Sequence, residues 1–374
     1  MPSDSRPAPS SSDAGPSVPD ASSDATSPSE TSPSEAPSPD SEAPSREATD
    51  PLAGDPFSEP EDPGDVLGDA SEGGTPFYED VPDDHRSGYV AIIGKPNVGK
   101  STLMNAMLGQ KLSIVTRKPQ TTRNRVMGIH SGPDHQVVFL DTPGIIKPRY
   151  RLHEAMMGQV EGAVRDADLL LFLHEATQEQ PDTFSLEQAG QKQAFLVLTK
   201  MDLIPQEQAL PLVESYQDLR AFDEIVPTSA LNGQNVDTLV DLIVEAMPKG
   251  PPFYPKEMVS EHPERFFVAE IIREKAFQQY HEEIPYSVQV NIVQYEERDG
   301  DEKDYIDAEI VVMRKSHKGI LIGKGGRALK ALGTAAREDI EAFVQRPVYL
   351  NLHVKVREDW RDRESFLRSY GYRR

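Results

Sequence analysis

Eight consecutive residues carry the clearest chemistry in this chain: Gly94, Lys95, Pro96, Asn97, Val98, Gly99, Lys100 and Ser101, reading GKPNVGKS. They fit G-x-x-x-x-G-K-[ST] between an apolar run and a helical pattern, the context in which such a loop wraps a polyphosphate. Gly94 and Gly99 let the main chain turn tightly and approach phosphate oxygens. Main-chain N–H groups and the N-terminus of the following helix favour negative charge there. Lys100 is placed to reach the β and γ phosphates, and the Ser101 hydroxyl to ligate Mg²⁺. These residues specify a nucleoside triphosphate but say little about its base.

Three further stretches follow in order. Asp141-Thr142-Pro143-Gly144 closes the apolar run Val137 to Leu140. A carboxylate at a strand end beside a phosphate loop is the expected second partner of Mg²⁺, and Gly144 adds backbone freedom next to the γ-phosphate. Between the two lies Thr116 to Val126 (TRKPQTTRNRV), polar, basic and aperiodic. It reads as a loop whose Thr121 and Thr122 close over γ-phosphate and metal and release after hydrolysis. Thr199-Lys200-Met201-Asp202, at the end of the run Ala194 to Leu198, resembles the base-selecting [NT]-K-x-D motif. Asp202 can accept from guanine N1–H and the 2-amino group. Adenine lacks both donors and would leave the carboxylate unpaired. The Lys200 stem can cover the base plane. Ser229-Ala230-Leu231, after the next strand, resembles a backbone clamp on the guanine oxygen.

A second glycine loop lies far downstream. Ile322-Gly323-Lys324-Gly325-Gly326 follows the basic stretch Arg314 to Lys318 and precedes a helical pattern. It matches the GXXG loop of KH domains, in which glycines admit a sugar-phosphate backbone. Lys318, Lys324, Arg327 and Lys330 supply the charge that clamps single-stranded nucleotides. Ile310, Val312, Leu329, Leu332, Ile340, Val348, Leu350 and Leu352 read as core rather than as base contacts.

These motifs need elements to hold them. Tyr89 to Ile93, Val137 to Leu140, Leu169 to His174, Ala194 to Leu198 and Ile225 to Pro227 are short apolar runs that read as buried strands. Helical patterns at Thr102–Leu108, His153–Arg165, Pro211–Arg220 and Val236–Ala246 alternate with them, which predicts a mostly parallel, doubly wound α/β P-loop domain. The proline-rich MPKGPPFYP starting at Met247 marks a break. Beyond it a helix over Phe266–Gln278, strands over Ser287–Gln294 and Tyr305–Arg314 around a polar hairpin, a helix over Ala328–Val344, a strand over Val348–Val356 and a short helix over Trp360–Ser369 predict a C-terminal α+β domain of the type II KH arrangement. The expected layout is a tail over 1–86, a nucleotide-binding domain over 87–248, a linker over 249–262 and an RNA-binding domain over 263–374.

Composition bounds the rest. The chain has 374 residues and no Cys, so disulfides and thiolate metal sites are excluded. Its net charge of -23 is unevenly spread: residues 1–86 hold 21 acidic residues against 3 Arg, whereas Arg314 to Arg374 hold 15 Lys+Arg against 7 Asp+Glu. The Ser/Pro/Asp/Glu-rich tail has too little apolar material to offset its ordering entropy and is expected to be disordered. No apolar run approaches a spanning helix and no secretion signal precedes the domains, so an intracellular, soluble protein is expected.

Taken together, GKPNVGKSTLMNAMLGQKLSIVTRKPQTTRNRVMGI, DTPGI, TKMD and a GKGG domain closing with VKVREDWRDRESFLRSYGY resemble the bacterial Era GTPases, over roughly residues 87 to 374. The resemblance implies a cytoplasmic, monomeric GTPase that takes GTP and GDP with Mg²⁺, binds small-subunit ribosomal RNA near its 3′ end, and assists maturation of the small ribosomal subunit, with some peripheral membrane association. It implies that Ser101, Thr122 and Asp141 ligate the metal, that Gln120 to Asn124 form an effector loop, and that Asn97 helps hold a K⁺ ion that, with Lys100, stabilises the transition state. The residue after DTPG is Ile145, where many signalling GTPases carry Gln; an aliphatic chain cannot orient water, so slow intrinsic hydrolysis and no single general base are expected. Two other readings remain at this point: an RNA-binding module indifferent to nucleotide, and a membrane-associated signalling GTPase linked to cell-cycle control. The weak amphipathicity of Phe266 to Gln278 and the lack of a lipidation motif speak against the second.

Overall fold

A computed structural model describes residues 81–300 and 302–372; the acidic tail, apart from its last few residues, lies outside the described residues. The N-terminal half is built from β1 (Arg86–Gly94), α1 (Lys100–Leu108), β2 (Val126–Ser131), β3 (His135–Asp141), α2 (Arg151–Asp166), β4 (Leu169–Glu175), α3 (Thr183–Gln188), β5 (Ala194–Thr199), α4 (Leu210–Gln217), β6 (Glu224–Pro227) and α5 (Val236–Ala246). The six strands form one sheet in the order β2-β3-β1-β4-β5-β6. Every pairing is parallel except β2 with β3. Helices cover both faces, which is why the central strands read as unbroken apolar runs: Val90 to Ile93 and Leu169 to Leu173 are buried throughout. Each such Val, Leu, Ile or Phe contributes about 1.5–3 kcal/mol by leaving water. β1 lies between β3 and β4, and the chain leaves it in opposite directions on its two sides. That reversal opens a crevice at the carboxyl ends of the strands, where α/β sheets bind ligands.

The C-terminal half comprises α6 (Glu264–Gln279), α7 (Ile284–Ser287), β7 (Gln289–Glu296), β8 (Asp304–Val312), α8 (Lys315–Ile322), α9 (Arg327–Val344), β9 (Val348–Val356) and α10 (Glu364–Ser369). Its mixed sheet runs β7-β8-β9, antiparallel then parallel. Ile310, Val312, Leu332, Ile340 and Val348 are buried in its core, while Leu329, Leu350 and Leu352 are only half-buried.

The α/β and α+β classes match the sequence reading, while several elements differ in extent or were not expected. The edge strand β2 was not anticipated, because its residues follow a polar loop without alternation. The strand expected to run to Arg314 ends at Val312; Arg314 instead caps α8, whose KSHKGILI is too short and too glycine-interrupted to announce a helix. Trp360 precedes the last helix rather than starting it and is fully buried, its indole N–H donating to Ser287 O at 3.0 Å. Finally, the stretch expected as a linker is laid along the first half: Ile129 N donates to Val259 O at 2.9 Å, Ser260 Oγ to Met127 O at 2.6 Å, and Phe253 N to Gln136 Oε1 at 2.7 Å. Tyr254 and Tyr89 share a hydroxyl hydrogen bond of 3.1 Å.

Candidate nucleotide-binding site

The GKPNVGKS loop leaves the carboxyl end of β1 and ends at the N-terminus of α1. It forms one wall of a cleft of about 520 Å³. Lys100 is buried, and its Nζ donates to the carbonyls of Gly94 at 3.2 Å and Lys95 at 2.8 Å, curling the loop around the amine. Burial pushes its pKa down to about 8, against the opposing pull of Asp141 and Asp182. A cation already stripped of water and aimed into a cleft is a strong site for phosphate oxygens.

Beside it, Ser101 Oγ donates to Asp141 Oδ2 at 2.6 Å and lies 3.0 Å from Thr122 Oγ1. Three elements therefore converge: α1, the end of β3, and the loop before β2. Asp141 is fully buried, its pKa is raised by that burial against the bond from Ser101 and the charge of Lys100, and its Oδ1 has no hydrogen-bond partner among the described residues. A buried carboxylate oxygen left open beside two hydroxyls is the donor set that suits a hard divalent cation. Thr121 points elsewhere: its hydroxyl pairs with Thr116 Oγ1 at 2.6 Å and donates to Lys118 O at 2.8 Å. Gly144 lies against the phosphate loop so closely that a Cβ there would stand 2.6 Å from Pro96 N.

At the far end of the cleft, Asp202 accepts from Ser229 Oγ at 2.5 Å, which fixes the carboxylate's direction. Thr199 is buried and donates to Val98 O at 2.6 Å and His174 O at 3.2 Å, tying the phosphate loop to β4 from beneath. Lys200 adopts a left-handed conformation (φ 60°), and its amine meets Glu175 at 2.7 Å while its stem lines the cleft.

Pro96, Asn97, Gly99, Lys100, Ser101, Gln120, Thr121, Thr122, Gly144, Lys200, Asp202, Ala230 and Leu231 line this one cleft, although they span well over a hundred positions of sequence. Gly94, Asp141, Thr142 and Pro143 lie behind the lining, where Thr142 Oγ1 donates to Ile92 O at 2.7 Å. Three of the expected residues direct their side chains away from the cleft lining. Lys95 turns outward to Asp182 at 3.3 Å, while Val98 and Met201 pack into the cores on either side of the sheet. Ile145 likewise lies off the cleft lining. Its side chain is buried in the core, and only its N–H is used, donating to Gly94 O at 3.0 Å. Sequence reasoning missed the apolar walls Ile114, Val115 and Leu203. Of these, Leu203 is 60% exposed while Ile114 is buried, so they share no common signal, and no sequence pattern announces them as cleft walls.

In the second half, GKGG joins α8 to α9, with Gly323, Gly325 and Gly326 all in left-handed φ (71°, 61° and 75°). Lys324, Arg327 and Lys330 are exposed and Lys318 half-buried. None of these four side chains has an ion-pair or hydrogen-bond partner among the described residues.

Comparison with known proteins agrees with this geometry. Residues 89–200 match the 50S ribosome-binding GTPase family and residues 283–361 the KH domain family. A GTPase Era from Clostridium botulinum is 45% identical over 293 residues, covering 77% of this chain and 99% of that protein. This chain belongs to the Era GTPase family. Its enzymatic activity is accordingly GTP hydrolysis. The chloroplastic GTPase ERA1 of Zea mays is 50% identical over 295 residues, covering 77% of this chain and 71% of its own. Among solved structures, a variant of Aquifex aeolicus Era bound to GDP and AlF4⁻ superposes with a TM-score of 0.74 at 41% identity, covering 77% of this chain and 99% of that one. An Era complex with MgGDPNP and nucleotides 1506–1542 of 16S ribosomal RNA gives the same values. No helix among the described residues of this Era protein is long and apolar enough to cross a membrane.

Proposed function

We propose that this chain is a slow GTP-driven switch that binds the 3′ region of small-subunit ribosomal RNA through its KH domain and assists maturation of the small ribosomal subunit, acting as a cytoplasmic monomer. The observation that carries the reading is the solved Era complex that holds MgGDPNP and a 16S ribosomal RNA fragment at once, matched here at 41% identity across both halves. The cations around GKGG, unpaired among the described residues, support a single-stranded partner by supplying charge for its backbone.

In this reading the amides of Gly94 to Ser101 and the Lys100 cation bind the phosphates, and Asp202 selects guanine. Ser101, Thr122 and Asp141 are the residues that would hold Mg²⁺, and the open Asp141 Oδ1 fits that role. Bound there, the ion neutralises charge developing on the γ-phosphate. With Ile145 buried, no side chain of the DTPG segment orients the attacking water. Hydrolysis then rests on positioning and electrostatics, and is slow. Asn97, whose Nδ2 donates to Arg117 O at 3.0 Å, would use its amide oxygen to help hold K⁺, which would add positive charge beside the phosphates. Equal turnover in K⁺ and Na⁺ buffers would remove K⁺ from this account.

The test is calorimetry of the full chain with GTP, ATP and the RNA fragment spanning nucleotides 1506–1542. GTP binding with ATP much weaker, and tighter RNA binding with a GTP analogue than with GDP, are the expected results. Equal affinity for ATP, or RNA binding no better than to a scrambled sequence, would overturn it.

A further inference from the structure

The loop from Thr116 to Val126 is anchored by two of its cations to the other half of the molecule. Lys118 Nζ donates to the carbonyls of Phe277 and Tyr280, at the carboxyl end of α6. Arg123 Nη1 donates to Val288 O at 2.6 Å, and its Nη2 to Pro285 O at 3.2 Å and Tyr286 O at 3.1 Å, at the carboxyl end of α7. The last carbonyls of α6 lack intrahelical partners and carry partial negative charge, so a cation is favoured there, whereas α7 is a single turn that offers Arg123 three closely spaced carbonyls. Arg123 is only 2% exposed, and its guanidinium carbon lies 5.8 Å from the ring centres of both Phe277 and Trp360. All three of those acceptors, and both rings, belong to the C-terminal half.

The two anchors bracket Gln120, Thr121 and Thr122, which line the cleft. Between them lie Gln120, held at a positive φ of 61° with its Oε1 3.1 Å from His153 Nε2, and Thr122, whose hydroxyl stands 3.0 Å from Ser101 Oγ. Thr122 is joined by one peptide bond to Arg123. Where the guanidinium sits therefore decides where that hydroxyl sits. A third tie runs from the same segment: Val115 N donates to Glu274 Oε1 of α6 at 3.0 Å.

We propose that Arg123, assisted by Lys118, is a positioning residue of the GTP site, whose backbone acceptors come from the RNA-binding half. The C-terminal half holds Thr122 against Ser101 through these two helix ends. Loss of the seat frees Thr122, which serves the γ-phosphate and its metal but not a diphosphate. Because coupling is reciprocal, the same seat makes RNA affinity depend on which nucleotide is bound. The inference rests on the GTP-switch reading above.

The experiment uses the full chain and its Arg123→Ala, Arg123→Lys and Lys118→Ala variants. Each is titrated in Mg²⁺ with GDP and with a non-hydrolysable GTP analogue, then with a single-stranded RNA oligonucleotide in each nucleotide state. For Arg123→Ala, affinity for the analogue is expected to fall about tenfold, the scale seen when a group orienting a metal ligand is removed. GDP affinity should stay within about twofold, since it shares no partner with Thr122. The two milder variants should fall in between, and the ratio of RNA affinities in the two nucleotide states should shrink in the same order. A merely structural role would lower melting temperature without changing the analogue-to-GDP ratio, and that result in any variant that melts cooperatively overturns the inference. If Arg123→Ala does not fold, Arg123→Lys and Lys118→Ala decide by the same ratio. A wild-type chain that binds neither nucleotide would instead sink the GTP-switch reading on which the inference stands.

Discussion

The molecule carries two glycine-and-lysine loops, each at the start of a helix, and they are built in opposite ways. In GKPNVGKS the lysine is buried, bonded to two loop carbonyls, and held in a cleft with a preset carboxylate and hydroxyl pair nearby. In GKGG the lysine and its neighbours Arg327 and Lys330 stand in solvent without partners among the described residues, and Gly325 and Gly326 face open space. The first arrangement suits a compact triphosphate, which can be surrounded and stripped of water. The second suits a polymer, which must slide in along its length and bring its own hydration and counterions. The same residue types thus serve enclosure or tracking according to what the surrounding elements bury.

Three experiments would break or sharpen that contrast. The largest effect is expected from Lys100→Ala, which removes the enclosed cation: GTP affinity should drop more than about a hundredfold, several kcal/mol for a charge-assisted phosphate contact in a desolvated site. RNA affinity without nucleotide should be unchanged, read by fluorescence anisotropy. A similar loss in both assays would mean that the two loops are not independent sites. An intermediate effect is expected from Lys324→Ala. RNA affinity should weaken only several-fold, and the slope of log K against log salt should become shallower by about 0.7, the value for one phosphate contact on a single strand. An unchanged salt slope would show that Lys324 does not meet the backbone. The smallest effect is expected from deleting residues 1–80. Despite the loss of most of the chain's net negative charge, GTP affinity in the enclosed cleft should stay within about twofold, because terminal segments of this composition rarely build a site. A tenfold change would show that remote charge reaches the cleft.

Much of the nucleotide site was legible because each part is local. A glycine pattern, a strand-end Asp and a TKMD tetrapeptide each declare themselves within eight residues, and the apolar runs before them mark buried parallel strands. The parts that stayed hidden are those whose meaning depends on partners far away in sequence. Ile145 looked like a cleft residue by its position after DTPG, yet it faces the core. Leu203 and Val115 looked like ordinary apolar residues, yet they wall the cleft. The proline-rich stretch read as a linker, but Gln136, Met127 and Ile129 supply the hydrogen-bonding groups that lay it along the sheet.

What the sequence determined by itself was the chemistry of each motif and the alternation of strands and helices that carries it, because both follow from short-range spacing: turn geometry, periodicity and the donors and acceptors of neighbouring residues. Tertiary structure alone decided which basic side chains are spent and which are left free. Lys118 and Arg123 were indistinguishable in sequence from Arg117 and Lys324, but two helix ends from the distant half take up the first pair and nothing among the described residues takes up Lys324. The physical reason is that a cation's role is set by the dielectric and the acceptors around it, and those are assembled only when segments more than 150 residues apart come together.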